Sequence, residues 1–156
     1  MKPTAYILVG VPGAGKSTWI AKQPFDWNKT VLVSTDGHVE KHAKEQGKTY
    51  SDVFKDYMPT AVQLMADSVV DAVKQGLDIV WDQTSTTKVA RRKKFNMLRG
   101  YEMIAVVFQT PEAKELQRRL ASRPGKTIPP EVVQSMRANW EEPTEAEGFD
   151  KIIYVK

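Results

Sequence analysis

The sequence predicts an α/β domain of three layers, with a parallel sheet of about five strands between helices. Three observations carry that prediction. Five short apolar runs recur along the chain, segments of helical periodicity lie between them, and a glycine-rich turn follows the first run. Strands that alternate with helices give a parallel sheet covered on both faces.

The first run is residues 5–9, ended by Gly10. Residues 30–33 (Thr-Val-Leu-Val), 77–81 (Leu-Asp-Ile-Val-Trp), 103–108 (Met-Ile-Ala-Val-Val-Phe) and 152–155 are the other four. Runs this short and apolar suit strands buried on both faces. Between them, Val62, Met65, Ala66, Val69, Val70 and Val73 follow the spacing of one helix face. Gly76 lies just past that face, at a common C-cap position. Residues 87–99 read as a basic helix closed by Gly100. Residues 112–122 read as another, and Pro130 opens a last helix to about Trp140. Residues 123–129 and 141–150 read as loops.

Composition bounds the rest. The chain has 156 residues, 41% of them apolar, enough for one domain with its own core. No repeat or interdomain linker interrupts it, so residues 1–156 read as a single domain. The net charge of +4 is mildly basic, too little to establish a nucleic-acid partner. Absence of cysteine excludes a disulfide framework and a thiolate zinc site. No apolar run approaches the roughly 20 residues that cross a bilayer. Met1-Lys2-Pro3-Thr4 does not resemble a signal peptide. The expectation is a soluble cytoplasmic protein without a membrane partner; nothing in the sequence sets an oligomeric state.

Gly10-Val11-Pro12-Gly13-Ala14-Gly15-Lys16-Ser17 fits G-x-x-x-x-G-K-[ST], followed by Thr18. Glycines let backbone N–H groups turn inward around phosphates. Lys16 brings positive charge to the β- and γ-phosphates, and the Ser17 hydroxyl is a ligand for Mg²⁺. The motif lies after a strand and before a helix, where its mechanism needs it. It predicts an ATP site and the P-loop NTPase version of the three-layer fold.

Two carboxylates follow strands. Asp36 comes after the second run and Asp82 after the third. Ligands of open α/β sheets gather at the carboxyl ends of strands. A kinase needs a carboxylate to orient the acceptor hydroxyl and take its proton. Asp36 is assigned that role, and Asp82 a place beside the magnesium. The alternatives are a helix N-cap for Asp36 and a turn residue for Asp82.

Arg118, Arg119 and Arg123 lie on or just after one helix. Arginine matches phosphate oxygens and neutralises charge that develops in phosphoryl transfer. Arg118 reads as a solvated helix end. Arg119 and Arg123 read as ATP contacts, with Arg123 on a lid spanning about residues 119–130. Lys88, Arg91, Arg92, Lys93 and Lys94 crowd the segment after Asp82. They read equally as a path for a phosphate-bearing polymer or as a solvated helix face. Trp19, Trp27, Trp81 and Trp140 read as packing residues before stacking ones. His38 and His42 are four apart, but no third ligand accompanies them, so they read as surface residues.

Taken together, these motifs resemble the kinase domain of the phage polynucleotide kinase family, within the wider group of P-loop kinases similar to zeta toxins and gluconate kinases. The P-loop with Trp19 after Ser17-Thr18 carries the resemblance. So do Asp36, the segment Val80-Trp81-Asp82-Gln83-Thr84, the pair Arg91-Arg92, and Glu115-Leu116 through Arg119, Arg123, Ile128-Pro129 and Met136. It implies transfer of the ATP γ-phosphate to the 5′-hydroxyl end of DNA or RNA. Lys16, Ser17 and Arg123 would hold ATP and magnesium, and Asp36 would activate the hydroxyl. Gln83, Thr84, Arg91 and Arg92 would stand on the acceptor side. The family has an Arg soon after its base that contacts the acceptor's 3′-phosphate. Gly37-His38-Val39-Glu40-Lys41 has none, leaving Lys41 or Arg92 to substitute. The family's phosphatase domain, with its Asp-x-Asp motif, has no counterpart here, so no 3′-phosphatase activity is expected. The resemblance places the protein in the host cytoplasm if it is phage-encoded. The competing expectations are a kinase of a nucleoside, sugar or metabolite, and an ATP-binding module without transfer chemistry.

Overall fold

In the computed structural model, which describes residues 2–155, five parallel strands form one sheet in the order β2-β3-β1-β4-β5. They are β1 (Thr4–Val9), β2 (Thr30–Val33), β3 (Asp78–Trp81), β4 (Glu102–Phe108) and β5 (Lys151–Val155). Every apolar run becomes a strand, with its ends shifted by at most one residue.

The pleat sorts each strand between two cores. On β1, Ala5, Ile7 and Val9 enter one core with Met65, Val69, Trp81 and Leu98. Leu8 enters the other with Ile20, Val80 and Phe108. Being covered on both faces explains why the central runs show no polar alternation. The outer strands β2 and β5 are different: Leu32 and Tyr154 are exposed there.

The helices are α1 (Lys16–Lys22), α2 (Thr35–Glu45), α3 (Tyr50–Gln75), α4 (Lys88–Met97), α5 (Ala113–Ala121) and α6 (Pro130–Ala138). The N-terminal half of α3 differs from expectation. The periodic stripe beginning at Val62 is only the later part of a 26-residue helix that runs through Pro59. The buried face of α3 is Val53, Ala61, Met65, Val69 and Ala72, while Val62 and Val70 point outward. Either valine fits an apolar periodicity, but only one side of α3 meets the sheet.

Helix α2 begins at the N-cap Ser34, whose hydroxyl accepts from the Gly37 N–H. α3 begins at a capping box in which Thr49 and Asp52 satisfy each other's backbone N–H groups. Residues 141–150 are a bound strap with a short 3₁₀ turn at Glu145–Glu147, and Phe149 packs on Phe95. Among the described residues no helix is long and apolar enough to cross a membrane.

This topology sets the site. β1 lies between β3 and β4, and the carboxyl ends of β1, β2 and β3 lead into Gly10, Ser34 and Asp82. Three separated segments thereby converge on one crevice.

Candidate active site

The chain leaves β1 at Gly10, turns, and enters α1 at Lys16. Gly13 and Gly15 have φ of +84° and +99°, where a side chain is strained. A Cβ on Gly15 would meet nothing within 4 Å, so this part of the loop is open on that side. A Cβ on Gly13 would lie 2.9 Å from Leu116, so close packing of α5 also requires glycine there. The Gly10 N–H donates to the Thr84 carbonyl at 3.0 Å, tying the loop to the segment after β3. Pro12 and Ala14 are half-buried, and Ala14 N–H closes the turn on Val11 O. Ser17 and Thr18 stand exposed at the start of α1.

The Lys16 ammonium donates to the Gly10 and Val11 carbonyls at 2.8 and 3.0 Å. Burial lowers its pKa to about 8, while the charges of Asp82 and Asp36 oppose that shift. Asp82 is half-buried, and its backbone N–H is held by the Val33 carbonyl at 2.8 Å. Burial raises its carboxyl pKa, Lys16 counteracts this, and Asp36 adds to it. An arriving cation would relieve both effects. Ser17 and Asp82 offer hard oxygen donors, the chemistry that suits Mg²⁺ shared with nucleotide phosphates. Among the described residues no cluster of three His, Cys, Asp or Glu side chains forms a metal cage.

Asp36 is not the N-cap of α2; Ser34 is. The carboxylate is therefore free for other partners, and it has two. Its Oδ1 accepts from the Tyr50 hydroxyl at 2.6 Å, and its Oδ2 from the Lys126 ammonium at 3.1 Å. Lys126 also lies 3.5 Å from Glu40 and 4.3 Å above the Tyr50 ring. Sequence reasoning missed Tyr50 and Lys126 as site residues. The Thr49-x-x-Asp52 capping box was a signal for Tyr50, because it places that residue on the first turn of a helix. Lys126 had no such signal: its contact spans 90 residues.

The lid coil joins α5 to α6. Arg119 donates to the Gly13 carbonyl at 3.0 Å and to Glu115 at 2.9 Å, so it buttresses the P-loop from behind. Arg118 is exposed and pairs with Glu115 alone. Arg123 is close enough to Lys16 to disfavour its ammonium form. With Lys126, Leu116, Leu120 and Val133 it lines a groove of about 280 Å³.

The expectation that Arg91 reaches an acceptor is corrected. Its guanidinium is fully buried and grips Glu147 at 2.8 and 3.1 Å. It also donates to the carbonyls of Ser85 and Glu141. Five fixed donors make arginine suited to such a knot, which ties α4 to the strap. Arg92 and Lys41 are exposed on α4 and α2, and the cation in contact with Asp36 is Lys126. Lys94 is buried over the Trp81 ring at 5.1 Å, and burial lowers its pKa to about 8. Gln83 accepts from the Trp81 indole N–H, and Thr84 accepts from the P-loop through its backbone. His42 stacks on Tyr57.

A phosphate cradle, a lysine, two carboxylates and a cationic lid thus face one crevice. Such a set can bind a polyphosphate, neutralise it and take a proton from a nearby hydroxyl. A family model described as AAA domain (AAA_33) matches residues 6–143. Among solved structures, the fold is similar to the Pnkp1/Rnl/Hen1 RNA repair complex at a TM-score of 0.69. That match is 22% identical and covers 88% of this chain and 44% of that one. It is similar to a fungal RNA kinase at a TM-score of 0.65, 16% identical, covering 100% of this chain and 38% of the other. It is also similar to a gluconokinase from Sinorhizobium meliloti 1021 at a TM-score of 0.54, 18% identical, covering 98% and 82%. The chain spans less than half the length of the first two of these matched chains. The chain belongs to the AAA domain family and has the fold of P-loop kinases.

Proposed function

We propose that this member of the AAA domain family is an ATP-dependent phosphotransferase whose acceptor is the 5′-hydroxyl end of a polynucleotide. The observation that carries the transfer chemistry is the position of Asp36. Its carboxylate holds Lys126 of the lid at 3.1 Å and its charge acts on both Lys16 and Asp82, so a potential base faces the same crevice as the P-loop.

In this reading the backbone of residues 10–18 cradles the phosphates, and Lys16 leaves the Gly10 and Val11 carbonyls for them. Ser17 and Asp82 would hold Mg²⁺, which supplies charge neutralisation when bound. Asp36 accepts the proton of the acceptor hydroxyl as its oxygen bonds to the γ-phosphorus. The bond from that phosphorus to the β–γ bridging oxygen breaks, and ADP leaves with both electrons. Arg123 and Lys126 neutralise charge on the lid side.

The resemblance of the motif order to polynucleotide kinases supports a nucleic-acid acceptor. One observation favours a second reading, a kinase of a nucleoside, sugar or metabolite. Arg91 and Lys94, two of the five basic residues expected along a polyanion path, are withdrawn into the core. A panel of acceptors with γ-labelled ATP separates the readings. Labelled 5′-hydroxyl DNA or RNA supports the first, and labelled sugar or nucleoside alone supports the second. No label on any acceptor, with ATP bound, leaves a binding module and overturns both.

A further inference from the structure

Tyr50 holds one oxygen of the Asp36 carboxylate, and a lid lysine holds the other. The two partners differ in how firmly they are fixed. Tyr50 is the first residue of α3, a helix of 26 residues whose start is locked by the Thr49–Asp52 capping box. Lys126 rides on a coil. That coil is pinned to α3 by the Ser51 N–H on the Gly125 carbonyl at 3.0 Å, and by the Thr127 N–H on the Ser51 hydroxyl at 2.8 Å. Water can replace either partner in exposed hydrogen bonds of this kind, so the coil can leave while the helix stays.

We propose that Tyr50 is the positioning residue of the proposed base, fixing Asp36 through Oδ1 so that Oδ2, the oxygen paired with Lys126, receives the acceptor proton when that lysine exchanges partners. The inference rests on the reading of Asp36 as a base. A carboxylate that abstracts a proton must present a lone pair in a fixed direction, within roughly 2.6–3.2 Å of the hydroxyl. Asp36 is half-exposed and sits in the first turn of α2, so its own helix leaves the side chain free to rotate. The short bond from Tyr50 removes that freedom. Burial and the adjacent carboxylate both hold the Tyr50 hydroxyl in its protonated form, so it remains a donor.

The exchange at Oδ2 also has a physical cause. Lys126 is close enough to Lys16 that the two cations repel. Phosphates near Lys16 would give Lys126 an anionic partner besides Asp36 and Glu40, and Oδ2 is then open to a hydroxyl. The charged groups around Asp36 are Glu40 on its own helix, Lys126 and Arg123 on the lid, and Lys16 and Asp82 across the crevice.

The test is a double-mutant cycle on single-turnover transfer, using the acceptor that the wild type phosphorylates best. Wild type, Tyr50→Phe, Asp36→Asn and the double variant are compared, with ATP affinity measured for each. Tyr50→Phe is expected to slow transfer roughly tenfold, with ATP affinity unchanged. In the Asp36→Asn background the same change is expected to cost less than about twofold, because its target is gone. A Tyr50→Phe rate within about twofold of wild type, or an undiminished tenfold loss in the Asp36→Asn background, overturns the positioning role. Loss of ATP binding in Tyr50→Phe makes the residue architectural and overturns it too. Absence of transfer by the wild type with every acceptor overturns the kinase reading instead.

Discussion

Helix α4 and the lid are the two basic stretches of the chain, and the fold uses them in opposite ways. Arg91 and Lys94 of α4 turn inward, one onto Glu147 and two carbonyls, the other over Trp81. Arg119 and Lys126, on α5 and the lid, turn toward Gly13 and Asp36. The same residue types are architectural in one place and face the crevice in the other. Partners decide this, and charge density along the sequence does not. A buried guanidinium with all three nitrogens bonded is a structural knot. A cation on a coil, held by two carboxylates that are themselves about half-exposed, can exchange them for another anion.

That contrast can be broken most severely at Arg91. Arg91→Met is expected to destabilise the fold by roughly 3–5 kcal/mol, since Glu147 and two buried carbonyls lose their partner. Chemical denaturation measures it, and a change below about 1 kcal/mol would mean the knot is dispensable. On the lid, Arg123→Ala is expected to leave unfolding unchanged within about 0.5 kcal/mol but to slow transfer by roughly a hundredfold. Parallel losses of stability and rate would erase the distinction between the two regions.

Lys94→Met sharpens it further. Burial lowers the folded pKa of Lys94 to about 8, so folding at neutral pH confines an unwanted charge. That cost is fully present below the folded pKa and fades as pH rises from there toward the unfolded value near 10.4. The methionine variant is expected to be more stable than wild type by about 1 kcal/mol at pH 7, with the gap closing toward pH 10. A less stable variant at pH 7 would show that the contact with Trp81 outweighs burial. The smallest effect concerns Lys16. At pH 8 about half of it is charged in the empty protein, and phosphates favour the ammonium form. Binding of magnesium-loaded ATP at pH 8 should therefore take up about half a proton, measured by calorimetry in buffers of different ionisation enthalpy. Proton release, or the same uptake in Lys16→Met, would refute it.

The donor half was legible in the sequence because it is one contiguous segment. Gly10 to Lys16 declare a turn, a cradle and a charge in a fixed order, and the strand before them ends where periodicity places it. The sheet was legible for the same reason, since strands buried on both faces are local apolar runs. The acceptor half was not. Asp36, Tyr50 and Lys126 come from three segments, and their meeting depends on how α2 and α3 fold back under the lid. Arg91 misled because its partner Glu147 is 56 residues away, in a stretch read as loop. Val62 and Val70 misled because periodicity gives a helix its apolar stripe but not the edge of the surface that covers it.

The proposed transfer chemistry depends on Asp36 as the base facing the P-loop crevice. The direct measurement is ATP affinity and γ-phosphate transfer for Asp36→Asn against wild type, on the acceptor selected from the panel. ATP affinity within about threefold of wild type, with transfer reduced by roughly a hundredfold or more, is the predicted result. Transfer at the wild-type rate in Asp36→Asn would contradict it.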